Sequence, residues 1–129
     1  MNDIHWCICG QRATELHHIV FRSQCKPLEH CKLNHIYLCM NCHRGSYGVH
    51  DKYGHKLDQK LKLEFQNKLE MLWVKQYLSG EEIQEVLQIS EKALDRLLKT
   101  VQKSKDKYIR ESVIRAVMGG RLVIEGDNN

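Results

Sequence analysis

The sequence predicts an α+β protein, mostly helical, in which a small metal-stabilised N-terminal unit precedes an all-helical C-terminal region. Two observations predict this. All eight histidines and all six cysteines of the 129 residues fall within the first 55, where apolar residues are sparse, while apolar positions from Leu57 onward recur at helical spacing. Imidazole and thiolate hold borderline ions such as zinc, and a bound ion is the usual substitute for a core in a segment too short to bury one. Three parts are expected: residues 1–55 as a metal-binding domain, 56–78 as a connecting helix, and 79–129 as a helical domain with a helix-turn-helix-like pair.

The net charge of +4 divides evenly about residue 55, so neither part is a polybasic arm. Nucleic acid is an allowed partner on this ground, not a demanded one. The start Met1-Asn2-Asp3-Ile4-His5 has no charged-then-apolar leader, and no apolar run approaches membrane-spanning length. These features predict a reducing, cytoplasmic setting without membrane attachment, and thiols used for metal rather than disulfides.

Taken in order, Cys7-Ile8-Cys9-Gly10 is one residue shorter than the usual zinc knuckle, and Cys39-x-x-Cys42 has the full spacing, at which a tight turn aims two sulfurs at one ion. Cys7, Cys9, Cys39 and Cys42 are the expected structural zinc ligands, with His5, Cys25 or Cys31 as substitutes for Cys7. Glu15-Leu16-His17-His18-Ile19-Val20 suits a short strand, on which His17 and His18 face opposite ways, so one can hold a metal while the other turns to substrate. A second strand is expected from Asn34 through Leu38 into the knuckle, followed by a helix or a loop through Gly45–Gly48 that presents His50.

With these residues in place, the segment from about Cys7 to Asp51 resembles the HNH endonuclease family of the zinc-knuckle type found in phages and mobile elements. The resemblance rests on Glu15-Leu16-His17-His18, on Asn34 sixteen residues after His18, and on Cys42-His43 nine residues after Asn34. It implies a unit of two strands and a helix around one metal. It also implies His18 as general base, Asn34 as the residue orienting it, and His17, His43 and His50 as ligands of a divalent catalytic ion, with His55 the rival of His50. Where many relatives space the last two histidines four apart on a helix, here His43 and His50 are separated by a glycine-containing loop. Three imidazoles suit zinc, nickel, cobalt or manganese better than magnesium, which prefers oxygen ligands. The implied activity is hydrolysis of DNA, by nicking or double-strand cleavage, leaving a 5′-phosphate and a 3′-hydroxyl. A dimer, or a phage-encoded protein partner, fits double-strand cleavage because one site cuts one strand. The alternative expectation is a non-catalytic, zinc-stabilised adaptor that binds DNA or protein.

Beyond the cluster, Leu57, Leu61, Phe65, Leu69, Leu72 and Trp73 mark one face of a helix expected to run to about Leu78, with both aromatics in the core. Ser79-Gly80-Glu81-Glu82 is a capping box opening the next helix, and Ser90 caps another. Ile83, Leu87, Ile89, Leu94 and Leu97 have helix-turn-helix spacing, although Gln84 and Gln88 stand where such motifs prefer small residues. Arg22 and Arg44 in the first unit, and Lys92, Arg96 and Lys99 on the second helix of the pair, are the candidate nucleic-acid contacts. A third helix is expected from Lys107 to Met118, ending at Gly119-Gly120, and Arg121–Glu125 as a strand or wing.

Overall fold

The structure, a computed structural model, describes residues 3–124, and among these it is a mixed α+β fold with small sheets and helices on them. The N-terminal unit opens with β1 (His5–Trp6) and β2 (Arg12–Ala13), an antiparallel pair closed by a turn in which Gly10 N–H donates to the Cys7 carbonyl at 2.9 Å. Gly10 sits at φ +91°, a conformation closed to most side chains. Next, β3 (Glu15–His18) pairs antiparallel with β4 (His35–Leu38), placing His17 opposite Ile36 and His18 opposite His35. The strand expected to reach Val20 stops at His18, and Asn34, expected in the second strand, closes a 3-10 turn just before it. The Asn34 carbonyl still accepts from Ile19 N–H at 2.8 Å, and its side chain bonds the N–H and the carbonyl of Val20, as described below. Helix α1 (Met40–Arg44) follows directly, with Cys39 as its cap.

Helix α2 (His55–Leu72) buries Leu61, Phe65 and Leu69 on the expected face. It ends at Leu72, six residues earlier than its periodicity suggests. Trp73 leaves helical geometry with its ring 2% exposed and its Nε1 donating to the Glu82 carbonyl at 3.3 Å. The Arg110 side chain donates to the freed carbonyls of Glu70 and Trp73. The chain can then enter β5 (Tyr77–Leu78), followed by α3 (Gly80–Leu87) and α4 (Glu91–Leu98).

The capping box is present: Glu82 N–H donates to Ser79 Oγ and Ser79 N–H to Glu82 Oε1, both at 3.1 Å. Ser90 caps α4 through Ala93 N–H. Gln88 adopts the left-handed conformation at φ +50° that glycine usually fills, and Gln84 reaches across the turn to the Ile89 carbonyl at 3.0 Å. The helix pair therefore closes with side-chain amides where such motifs more often use Ala and Gly.

The C-terminal region is not all-helical. Lys107 begins a strand rather than a helix: β6 (Lys103–Ser104) and β7 (Lys107–Ile109) form a hairpin, and β7 also pairs with β5 to give the order β5-β7-β6. Helix α5 (Arg110–Val117) starts three residues later than expected, because Tyr108 and Ile109 are held by partners on both sides. Residues 121–124 form no strand; Val123 is pinned to α2 by Gln66, which accepts from its N–H at 2.7 Å and donates to its carbonyl at 3.0 Å. Glu125, the end of that expected strand, lies outside the described residues. The buried apolar side chains run from Cys7 to Met118 as one cluster, and α4 packs on the Lys26–Leu28 turn of the N-terminal unit. Among the described residues no helix is long and apolar enough to cross a membrane.

Candidate metal centres and cleft

The β1–β2 turn and the start of α1 bring Cys7, Cys9, Cys39 and Cys42 together, with their sulfurs all within 4.8 Å of one another. The short Cys7–Cys9 spacing works because the pair lies on a tight turn closed by Gly10. Cys9 and Cys39 sulfurs stand 3.6 Å apart, close to the edge of about 3.8 Å expected for a tetrahedron with Zn–S bonds of about 2.3 Å. Cys42 N–H donates to Cys39 Sγ at 3.4 Å, the turn that aims both sulfurs inward. Burial pushes the Cys7 thiol up, but the backbone of Cys9 and Cys39 outweighs it and holds the thiol at about 7. Cys42 is pushed above the usual thiol range by burial and by sharing protons with the other three. Four crowded thiols, one already acidic, are a donor set that fits a zinc ion, so this cluster can hold a structural zinc. Cys25 and Cys31 are buried and outside it, and burial drives the Cys25 thiol up to about 11, which marks a core thiol. His5 is also outside, stacked on Tyr37 with ring centroids 3.7 Å apart.

A second group joins His17 from β3, His43 from α1 and His50 from the following loop, each offering a nitrogen within 4.8 Å of the others. His43 Nε2 and His50 Nε2 are 3.2 Å apart, near the edge of about 3.3 Å for nitrogens held at about 2.0–2.1 Å around one ion. His17 is 1% exposed and its Nε2 is buried without a hydrogen-bond partner. Burial, with His50 and His43 beside it, lowers its pKa to about 3, so its lone pair stays free of protons. Burial and His43 also lower His50. Three imidazoles facing one another, one with an orphaned nitrogen, fit a divalent ion. His55, the rival of His50, begins α2 and does not join them.

His43 is oriented by a residue to which the sequence analysis assigned no role. Glu15, on the same face of β3 as His17, accepts from His43 Nδ1 at 2.9 Å, which leaves Nε2 with the lone pair toward His50. The bond to His43 comes first in lowering the Glu15 carboxyl, and Arg44 adds to it with contacts of 2.7 and 3.1 Å. Carboxylates behind metal-binding imidazoles fix the tautomer in this way. Spacing gave one signal: Glu15 and His17 are two apart on a strand and so share a face.

His18, the last residue of β3, lines one cleft of about 560 Å³ with His17, His43, His50, Phe21 and Arg22. Its Nε2 lies 2.9 Å from the Glu29 carbonyl, which also receives His35 Nε2 at 2.8 Å. A carbonyl can only accept, so Nε2 carries the proton and Nδ1 of the neutral ring keeps its lone pair. Of the two groups that could fix this tautomer, a backbone carbonyl and the Asn34 amide, the carbonyl of Glu29 is the one hydrogen-bonded to the ring, and the Asn34 side chain is engaged with Val20. Fully buried, it accepts from Val20 N–H at 2.8 Å and donates to the Val20 carbonyl at 3.0 Å, clamping the chain just past the histidine pair. The Glu29 carbonyl had no sequence signal, since every residue carries one.

Of the candidate cations, Arg22 stands exposed at the cleft, 3.8 Å from Glu29, and Arg44 is bound to Glu15. Lys92, Arg96 and Lys99 are exposed on or just past α4, and Arg96 borders a seam with the segment from Gln24 to Pro27. Comparison with protein-family models, curated proteins and solved structures found no match to this chain.

Proposed function

We propose that the chain is a metal-dependent endonuclease of HNH type, hydrolysing phosphodiester bonds in DNA. One observation carries this: three imidazoles converge on one point in the same cleft as a fourth, His18, whose tautomer is set by a backbone carbonyl. A purely structural zinc site has no need of that fourth ring.

In this scheme His18 Nδ1 takes a proton from a water poised over the scissile phosphorus. The water oxygen bonds to phosphorus, the P–O3′ bond breaks, and the departing oxygen takes a proton from solvent. Arg22 contacts a non-bridging oxygen or a neighbouring phosphate, while Arg44 acts one step back by holding Glu15 against His43. A divalent ion on His17, His43 and His50, with zinc, nickel or manganese favoured by the imidazole set, would supply positive charge to the phosphate and to the departing oxygen. Lys92 of α4 and Lys99 just past its end, with Lys103, Lys105 and Lys107 on the following hairpin, present cations to the DNA backbone.

Plasmid nicking in magnesium, manganese, nickel and zinc tests the proposal. His18→Ala should lower the nicking rate about 10²- to 10⁴-fold while DNA binding persists. Equal behaviour of the two proteins in every metal would refute the endonuclease and favour a zinc-stabilised adaptor.

A further inference from the structure

The segment between His43 and α2 is a built loop rather than a slack connection. Val49 N–H donates to the Cys42 carbonyl at 2.8 Å, Asp51 N–H to the Gly48 carbonyl at 2.9 Å and Gly54 N–H to the Asp51 carbonyl at 2.9 Å. Val49 plugs it into the core at 5% exposure. A Cβ on Gly54 would lie 1.7 Å from the Gly48 carbonyl oxygen, so the two ends of the loop meet backbone to backbone.

On this rigid frame two large aromatic rings are held out of the core. Tyr47 is 70% exposed and Tyr53 62%, with ring centroids 5.6 Å apart. One carboxylate sets their spacing: Asp51 Oδ2 accepts from Tyr47 N–H at 3.2 Å and from Tyr53 N–H at 3.0 Å. Tyr47 takes φ +65°, a left-handed conformation that costs a side-chain-bearing residue roughly 1–2 kcal/mol and that glycine would relieve. Strain at a position where folding alone favours a smaller residue points to use of the ring. Lys52 places its ammonium over the Tyr53 ring, 4.9 Å from the centroid, next to the Asp51 carboxylate that braces the loop. His50 lies midway between the two tyrosines in the same loop, three residues from each.

We propose that Tyr47 and Tyr53 form a stacking platform for unpaired nucleobases, with Lys52 on the adjoining phosphate. The cleft then takes DNA with single-stranded or unpaired nucleotides beside the scissile bond in preference to uninterrupted duplex. This rests on the endonuclease reading for its link to cleavage, but its binding test does not. The occupant follows from the chemistry: two exposed aromatic rings, tilted 42° to each other with a lysine against one of them, suit unpaired bases on a phosphate chain, and a paired duplex hides its base faces.

The test is fluorescence anisotropy of a labelled single-stranded oligonucleotide and of its duplex, using the zinc-loaded full chain in a His18→Ala background so that the DNA stays intact. Tyr47→Ala/Tyr53→Ala should weaken single-strand binding about 5- to 150-fold, the range for loss of one stacked base, and leave duplex binding within about twofold. Phe at both positions should restore single-strand binding. Equal affinity of the Ala variant and its parent for both DNAs, or an equal loss on both, overturns the platform. Should the Ala variant fail to fold, 2-aminopurine placed along the single strand provides the reading with the tyrosines intact. Quenching confined to one or two positions supports stacking, and its absence at every position overturns it. A silent tyrosine pair in a protein that cleaves would overturn this inference alone; stacking in a protein that fails to cleave in any of the metals would leave the platform standing without the endonuclease.

Discussion

Behind the histidine cleft, α2 carries a buried ion pair whose removal should unbalance the fold. Lys62 Nζ lies 2.8 Å from Asp58 Oδ2, with the two side chains 9% and 12% exposed, and Asp58 Oδ1 is buried without a partner. Lys62 also stands 4.0 Å from the centroid of Phe21, whose ring packs against His50 and His17. Lys62→Met keeps the volume and removes the cation, leaving a carboxylate in the interior with neither oxygen neutralised. Breaking a buried pair from one side costs about 3–5 kcal/mol. For a chain of this length that is a fall in Tm of about 10–30 °C, interpolating between the usual values for smaller and larger domains. Asp58→Leu/Lys62→Met should recover to within about 2 kcal/mol of wild type, since no charge is then stranded. Urea denaturation of the four zinc-loaded proteins at one pH gives the coupling energy, expected at about 3 kcal/mol or more. A coupling below about 1 kcal/mol would show that the pair behaves as a hydrated surface bridge, and the account of it as a buried support for Phe21 would be wrong.

A zinc ion held by the four clustered cysteines would make the N-terminal unit metal-dependent. Cys39→Ala, or a chelator strong enough to extract zinc, should abolish the NMR dispersion of the β1–β2 and β3–β4 pairs; an unchanged spectrum with one zinc lost would contradict the structural role. Asn34→Ala strands the N–H and carbonyl of the fully buried Val20 and should cost about 2–5 kcal/mol in urea denaturation, with nicking activity falling alongside; a change below about 1 kcal/mol would show the clamp to be dispensable. His17 sets a pH dependence. Its folded pKa of about 3 lies below the ordinary 6.5, so between these values the unfolded chain binds the extra proton. Stability from this group is full above about pH 6.5 and is lost as pH falls toward 3, with a slope of at most about 1.4 kcal/mol per pH unit. His17→Gln should flatten the measured slope between pH 6 and 4, and parallel slopes for the two proteins would refute the shift.

Much of the site was legible because its chemistry is local in the chain. The confinement of His and Cys to 55 residues pointed to metal, the Cys39-x-x-Cys42 turn is a property of four consecutive residues, and Ser79 with Glu82 caps a helix within one turn. The strand at Lys107–Ile109 was not legible, because its neighbouring partner Lys103–Ser104 is only two residues long and joined by a Lys105-Asp106 turn without glycine, while its other partner Tyr77–Leu78 lies some thirty residues earlier. The end of α2 at Leu72 was hidden for the same reason: Arg110 and Glu82, which receive the turning chain, come from elsewhere in the sequence. Residue types and their short spacings determined which groups could hold a metal and where helices begin. Only the tertiary structure decided that Glu15 would meet His43, that the Glu29 carbonyl would set the His18 tautomer, and that Asp58 and Lys62 would be buried together behind Phe21. Capping and knuckle turns are closed by a few neighbouring dihedrals, whereas the Glu15–His43 and Glu29–His18 contacts, and the burial of the Asp58–Lys62 pair, exist only once separate segments have packed on one core.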